Sequence, residues 1–224
     1  MKKRFIFVSL LLLTSNTLYA LEPPDLDNGE EINETCAGCH GEYAEGGKDG
    51  EYPRLAGLPA DYIVNQLRLF RDQKRPNIPM LEYLNKGQLP DQEKIDVAAF
   101  LQSIQLTKKL PPIIEGDDFD AYERMMLTKR FLNIAKIEGD TKKGKKLYKR
   151  ECKSCHGKNG EGDIEKSVPM LAGQYTKYLK KQIILFIEKK RIHDQDAPEE
   201  ELLADFSTEE LNNIFAYLSV ADDE

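Results

Sequence analysis

The pattern Cys-x-x-Cys-His occurs twice in this chain and constrains its fold more than any other feature. The first copy is Cys36, Cys39 and His40, the second Cys152, Cys155 and His156, and together they use every cysteine present. Shifting the sequence on itself by 116 positions superposes the two motifs, with Gly41 on Gly157 and Gly46 on Gly162. The match runs on through Pro53, Leu55, Ala56 and Gly57 onto Pro169, Leu171, Ala172 and Gly173. Tyr62, Gln66, Leu69, Phe70 and Arg75 then fall on Tyr178, Gln182, Leu185, Phe186 and Arg191. After the arginines one residue is inserted, and Glu93, Val97, Ala99, Phe100 and Leu101 pair with Glu210, Ile214, Ala216, Tyr217 and Leu218. Similarity over this length means a domain written twice; two copies do not make a solenoid.

Each copy reads as helices separated by loops, with no alternating strand pattern, so the expected class is all-α. A first helix leads into each motif, over residues 30–36 and 140–152, the second capped by Asp140 or Thr141. Apolar residues at helical spacing, such as Ile63, Leu67 and Phe70 or Tyr178, Ile183 and Phe186, predict helices over 60–71 and 176–190. The last helix of each copy covers about 91–104 and 208–220, with Ser207 or Thr208 as the second cap. Pro111 and Pro112 interrupt the region between the copies, after which 119–137 offers one extra helix packed on the domains. Met125 and Met126 on that helix read as gap-filling core. The expected organisation is therefore a leader at 1–20, a first domain at 21–106, a linker at 107–139 and a second domain at 140–224.

The leader opens with Lys2, Lys3 and Arg4, continues in an apolar run from Phe5 to Leu13 and closes at Tyr19 and Ala20, as a secretory signal peptide does. Export normally turns an even cysteine count into disulfides, but here each pair is followed at once by histidine. Cysteines at i and i+3 lie on one helical face and reach two vinyl groups on one side of a porphyrin, and histidine at i+4 meets the iron. This is the attachment signal of c-type haem. A four-cysteine zinc site is the competing possibility, but it leaves the histidines and the duplication unexplained.

On these motifs, with Pro53-Arg54-Leu55-Ala56-Gly57, its partner Pro169-Met170-Leu171-Ala172-Gly173-Gln174 and the closing aromatic helices, the chain resembles dihaem cytochromes of the c4 type, tandem class I cytochrome c domains. The resemblance implies two small helical haem pockets, periplasmic electron transfer, two covalent haem c groups on Cys36, Cys39, Cys152 and Cys155, and a methionine as sixth iron ligand in each domain. Met80, in Pro79-Met80 just ahead of a closing helix, takes that role in the first domain. The second domain departs from the pattern, because Asp196 or Ala197 aligns with Met80 and neither is the usual soft ligand. Two candidates stand there. Met170 lies before the second helix, whereas His193 lies in the ligand loop and is the only histidine outside the two motifs. His40, Met80, His156 and His193 are thus the expected iron ligands, with a solvated loop histidine as the bland alternative for His193.

The formal net charge is −7, and residues 21–106 hold 16 acids against 8 bases while 107–224 hold 23 against 21. An acidic balance excludes nucleic acid, whose phosphates need a basic surface. Redox proteins as donor and acceptor fit it, and the basic run from Lys142 to Lys153 suggests that different partners approach the two ends. No span is expected to hold the protein in a membrane once the leader is removed. The alternatives to a soluble carrier are a peroxidase-like or sulfur-compound oxidoreductase with two haems, and a subunit docked on a larger oxidoreductase through the linker helix.

Overall fold

The computed structural model describes residues 21–84, 88–113, 119–132, 134–194, 197 and 202–221. The leader assigned to 1–20, and Asp196 in the second ligand loop, lie outside the described residues. Among the described residues the structure is helical, with isolated bridges and no sheet, so the all-α expectation holds. The first half contains α1 (Leu26–His40), α2 (Ala60–Arg71), α3 (Ile78–Leu84) and α4 (Asp91–Ser103). The linker carries α5 (Ala121–Lys129). The second half contains α6 (Thr141–Glu151), α7 (Lys153–His156), α8 (Thr176–Ile187) and α9 (Thr208–Ala221).

Capping sets where these helices begin. The Asp25 carboxylate accepts from the backbone N–H groups of Asp27 and Asn28, and Asp140 does the same for Lys142 and Lys143. Helix α1 therefore starts four residues ahead of the expected Glu30, with Asp27 favourably placed in its first turn. Ser207 and Glu210 form a reciprocal capping box at the start of α9. Helix α3 was not anticipated, since Pro79 sits inside it. The proline falls in the first turn, where its missing N–H costs little, and Asn77 Oδ1 accepts from the Met80 N–H at 3.2 Å.

In each half the first and last helices cross at a glycine. A Cβ on Gly29 would lie 2.3 Å from the Asp96 carbonyl oxygen, and one on Gly144 only 1.8 Å from that of Asn213. Only a residue without a side chain lets α1 meet α4, and α6 meet α9, at such range. Side chains then tie the same crossings. Asp96 accepts from the Asp25 N–H and the Asn28 amide, and Asn213 Oδ1 accepts from the Asp140 N–H at 2.8 Å. Separate apolar cores form beside the crossings, one with Ile63, Val64, Val97 and Leu101, the other with Tyr148, Leu179, Ile214 and Leu218. Full burial of each aliphatic side chain stabilises by roughly 1.5–3 kcal/mol.

The linker helix departs from expectation. It is shorter than residues 119–137, it buries none of its residues, and Met125 is 46 % exposed, so Met125 and Met126 are not core. Its apolar residues at helical spacing stay exposed or half-buried, Tyr122 being 68 % exposed. The linker is instead tied at the end of the helix and beyond it. Lys129 pairs with Glu42 at 2.7 Å, Arg130 stacks on the Tyr43 ring at 4.6 Å, and Leu132 N–H donates to Thr107 O at 2.9 Å.

Candidate haem sites

None of the four cysteines is paired in a disulfide. Among the described residues no three His, Cys, Asp or Glu side chains converge as a metal cluster. In the first half the unbroken α1 carries Cys36 and Cys39 to His40. In the second, a one-residue interruption at Cys152, at φ −111° and ψ −30°, separates α6 from α7. Burial pushes the Cys36 thiol up, and burial, aided by the charge of Glu151, pushes Cys152 up to about 11.

The motif histidines are held identically. His40 Nδ1 lies 2.9 Å from the Pro53 carbonyl oxygen, and His156 Nδ1 lies 2.9 Å from that of Pro169. A carbonyl only accepts, so Nδ1 carries the proton and Nε2 presents a bare lone pair. Burial lowers the pKa of both rings, the Pro carbonyl bond opposing it, and keeps them neutral. Gly41 and Gly157, each at φ +84°, turn the chain back after the histidine so that it can reach these prolines.

The expected sixth ligands are placed differently in the two halves. Met80 lies half-buried on α3. His193 lies after α8 with its ring edge-on to Phe186 at 5.2 Å and its centroid 6.0 Å from that of His156. Two imidazoles bound to one metal, at about 2 Å each, hold their centroids roughly 6 Å apart. Met170 faces elsewhere. It packs against the core of the first domain, where a Cβ on Gly57 would lie 3.3 Å from its Cε.

Between the halves lies a pseudo-symmetric cluster that the sequence displayed only as repeated letters. Arg75 donates to Gln66 Oε1 at 2.7 Å within its own half, and across the boundary to Tyr178 Oη and Gln182 Oε1 at 2.9 Å. Arg191 mirrors it, donating to Gln182 Oε1 at 2.7 Å and across to Tyr62 Oη at 2.8 Å and Gln66 Oε1 at 3.2 Å. Both guanidiniums are buried, at 6 % and 8 % exposure, each over a phenylalanine ring, Phe70 or Phe186. Among the described residues no carboxylate pairs with either. Burial pulls the Arg75 guanidinium below its usual range, and Arg191 adds to that; burial alone would raise Tyr178, but the two cations outweigh it and lower its pKa. Two buried cations facing neutral groups leave a positive potential that calls for an anion. The two arginines, the glutamines and the tyrosines repeat at one offset, and that repetition was the available signal for a shared role.

Set against known proteins, the chain matches a family model for cytochrome c over residues 26–105 and again over 141–221. It is 27 % identical to cytochrome c4 of Pseudomonas aeruginosa over 95 % of this chain and 96 % of that protein. It is 32 % identical to a thiosulfate dehydrogenase electron acceptor of Stutzerimonas stutzeri, over 71 % of this chain and 66 % of that protein. Its fold matches the crystal structure of reduced recombinant cytochrome c4 from Pseudomonas stutzeri with a TM-score of 0.64 and 23 % identity, covering 88 % of this chain and 98 % of that one. Two tandem matches that together span most of the chain establish that it belongs to the cytochrome c family, and its two-domain fold is the one seen in cytochrome c4.

Proposed function

We propose that this chain is an exported periplasmic electron carrier with two covalently attached haem c groups, one in each of the domains 21–106 and 140–224. When bound, each iron porphyrin supplies a one-electron couple. Cys36 and Cys39 are the thioether sites of the first domain, and Cys152 and Cys155 those of the second. His40 and Met80 hold the first iron; His156 and His193 hold the second. The observation that carries this is the pair of matched histidine-to-proline contacts at 2.9 Å, which fix two neutral imidazoles in the tautomer that leaves Nε2 for a metal. The buried Arg75 and Arg191 suit the anionic propionates of two porphyrins, and they lie between the domains. The 6.0 Å spacing of the His156 and His193 rings supports His193 over Met170, whose side chain is engaged by the first domain.

Intact mass of the exported protein is the test. The expected value exceeds the polypeptide of residues 21–224 by two haems, and an excess of one haem or of zinc would overturn the assignment. The near-infrared spectrum of the oxidised protein is expected to show a methionine-to-iron band from one haem only. The likeness to electron acceptors of thiosulfate dehydrogenases favours one second reading of the partner, a sulfur-compound oxidoreductase as donor. In an anaerobic assay such a donor would reduce the oxidised carrier directly.

A further inference from the structure

The helices α1 and α6 superpose when their crossing glycines, Gly29 and Gly144, are brought together. Asp27, Glu30, Glu31 and Glu34 then coincide with Lys142, Lys145, Lys146 and Lys149. At four equivalent positions the charge is reversed. The acidic set is exposed on α1, and Lys142, Lys143, Lys146 and Arg150 are exposed on α6, on the side away from the buried Gly144 and Tyr148. The fold therefore does not require lysine at these positions, since the same helix in the same packing takes carboxylates in the other half.

The basic face also opposes the stability of its own helix. Lys142 and Lys143 stand in the first turn of α6, which contains no acid, against the positive end of the helix dipole. Lys142 with Lys146 and Lys145 with Lys149 are like charges one turn apart. Few acids offset them: Lys143 reaches Glu209 at 3.8 Å and Arg150 pairs with its neighbour Glu151, whereas Lys142, Lys146 and Lys149 pair with no carboxylate among the described residues. The strip continues through exposed Lys153 and Ser154 to exposed Cys155. It ends at a haem attachment site.

We propose that the outer face of α6 is the docking surface for an acidic redox protein that exchanges electrons with the second domain. The proposal rests on the haem assignment above for the electron and on the charge reversal for the docking. Docking aligns the partner's carboxylates with Lys142, Lys146 and Lys149 and brings it against the Cys155 edge. A haem held by Cys152, Cys155 and His156 would supply the one-electron couple for such a partner, which would itself change by one electron in the opposite sense.

The test uses the loaded full-length protein and a plant-type [2Fe–2S] ferredoxin as acidic probe, with binding followed by calorimetry and haem reduction by stopped flow. At low salt the triple substitution Lys142→Glu, Lys146→Glu and Lys149→Glu is expected to weaken binding and slow reduction by about tenfold or more, as raised salt does for the wild type. The converse triple, Asp27→Lys, Glu31→Lys and Glu34→Lys, is expected to leave binding at α6 in place. Equal binding by wild type and the lysine variant overturns the proposal. So does salt-sensitive sedimentation of the wild type with phosphatidylglycerol vesicles without ferredoxin binding, which assigns the face to lipid. Salt-sensitive self-association lost in both triples overturns it in favour of a second copy. Mass and spectrum report haem loading separately, so failure of the haem assignment is distinguishable from failure of the docking surface, which calorimetry reads without electron transfer.

Discussion

In the first half a single helix runs from its Asp25 cap through Cys36 and Cys39 to His40, whereas in the second half the helical path breaks at Cys152 and resumes as α7. Both ends of the segment are pinned alike. A glycine crossing holds one end, and a histidine bonded to a proline carbonyl holds the other. Between Gly144 and Cys152, however, the chain is one residue longer than between Gly29 and Cys36. An unbroken α-helix would rotate the motif by about 100° for that residue. The interruption at Cys152 falls within this longer segment, and His156 still reaches Pro169. What the duplication preserves is the pair of anchors, not the helix that joins them.

The most severe way to separate the halves is to remove one attachment site. Cys152→Ser combined with Cys155→Ser is expected to leave a protein one haem lighter by intact mass, with the absorption spectrum of the first domain unchanged; loss of both haems would show that the domains do not load independently. Next come the crossings. Gly144→Val places side-chain carbon at 1.8 Å from backbone oxygen, and a cost of about 3 kcal/mol or more is expected in chemical unfolding. Gly29→Val, where the approach is 2.3 Å, is expected to cost somewhat less, and an equal or reversed order would show that relaxation of α4 and α9 outweighs the starting distance.

On the ligation proposed above, His193→Ala sharpens the comparison between the two haem sites. Histidine on both sides favours the oxidised iron more than histidine with methionine does. The wild type is therefore expected to show two redox waves, the second domain lower. The variant is expected to bind carbon monoxide at one haem when reduced, and Met80→Ala to abolish the methionine band. Two methionine bands in the wild type would assign the second iron to Met170 instead.

The smallest expected effect concerns acid. Asp96 is opposed by burial, yet hydrogen bonds from the Asp25 N–H, Asn28 and Gln92 overcome it and hold its carboxyl below the ordinary value of 3.8. A depressed folded pKa stabilises above the unfolded value and is lost as pH falls from there through the folded pKa. The equivalent residue in the second half is Asn213, which does not titrate. Unfolding followed domain by domain below pH 4 is expected to show the first crossing weakening with acid and the second not, and Asp96→Asn should remove that difference.

The duplication, the helical class, the motif residues and the extra linker helix were legible because each is written as spacing along one chain. Residues 60–71 formed the expected helix because its apolar side repeats at helical spacing without a breaker. Helix α3 was not legible, because proline within seven residues argues against a helix until the Asn77 bond to its first turn is seen. The linker helix was legible as a helix but not as an exposed one. Periodicity records which residues share a side, and not whether anything faces that side.

The sequence by itself determined that four cysteines and two histidines stand in two haem-attachment motifs and that the chain is a tandem repeat. Tertiary structure decided the rest of the site. That Arg75 and Arg191 reach across to Tyr178 and Tyr62, that His193 faces His156 and that Met170 serves the neighbouring domain depend on residues far apart in the chain, and local pattern holds no record of such distances. The physical reason is that burial and hydrogen bonding act through space. A repeated arginine is only a letter until the second domain folds against the first and removes its water.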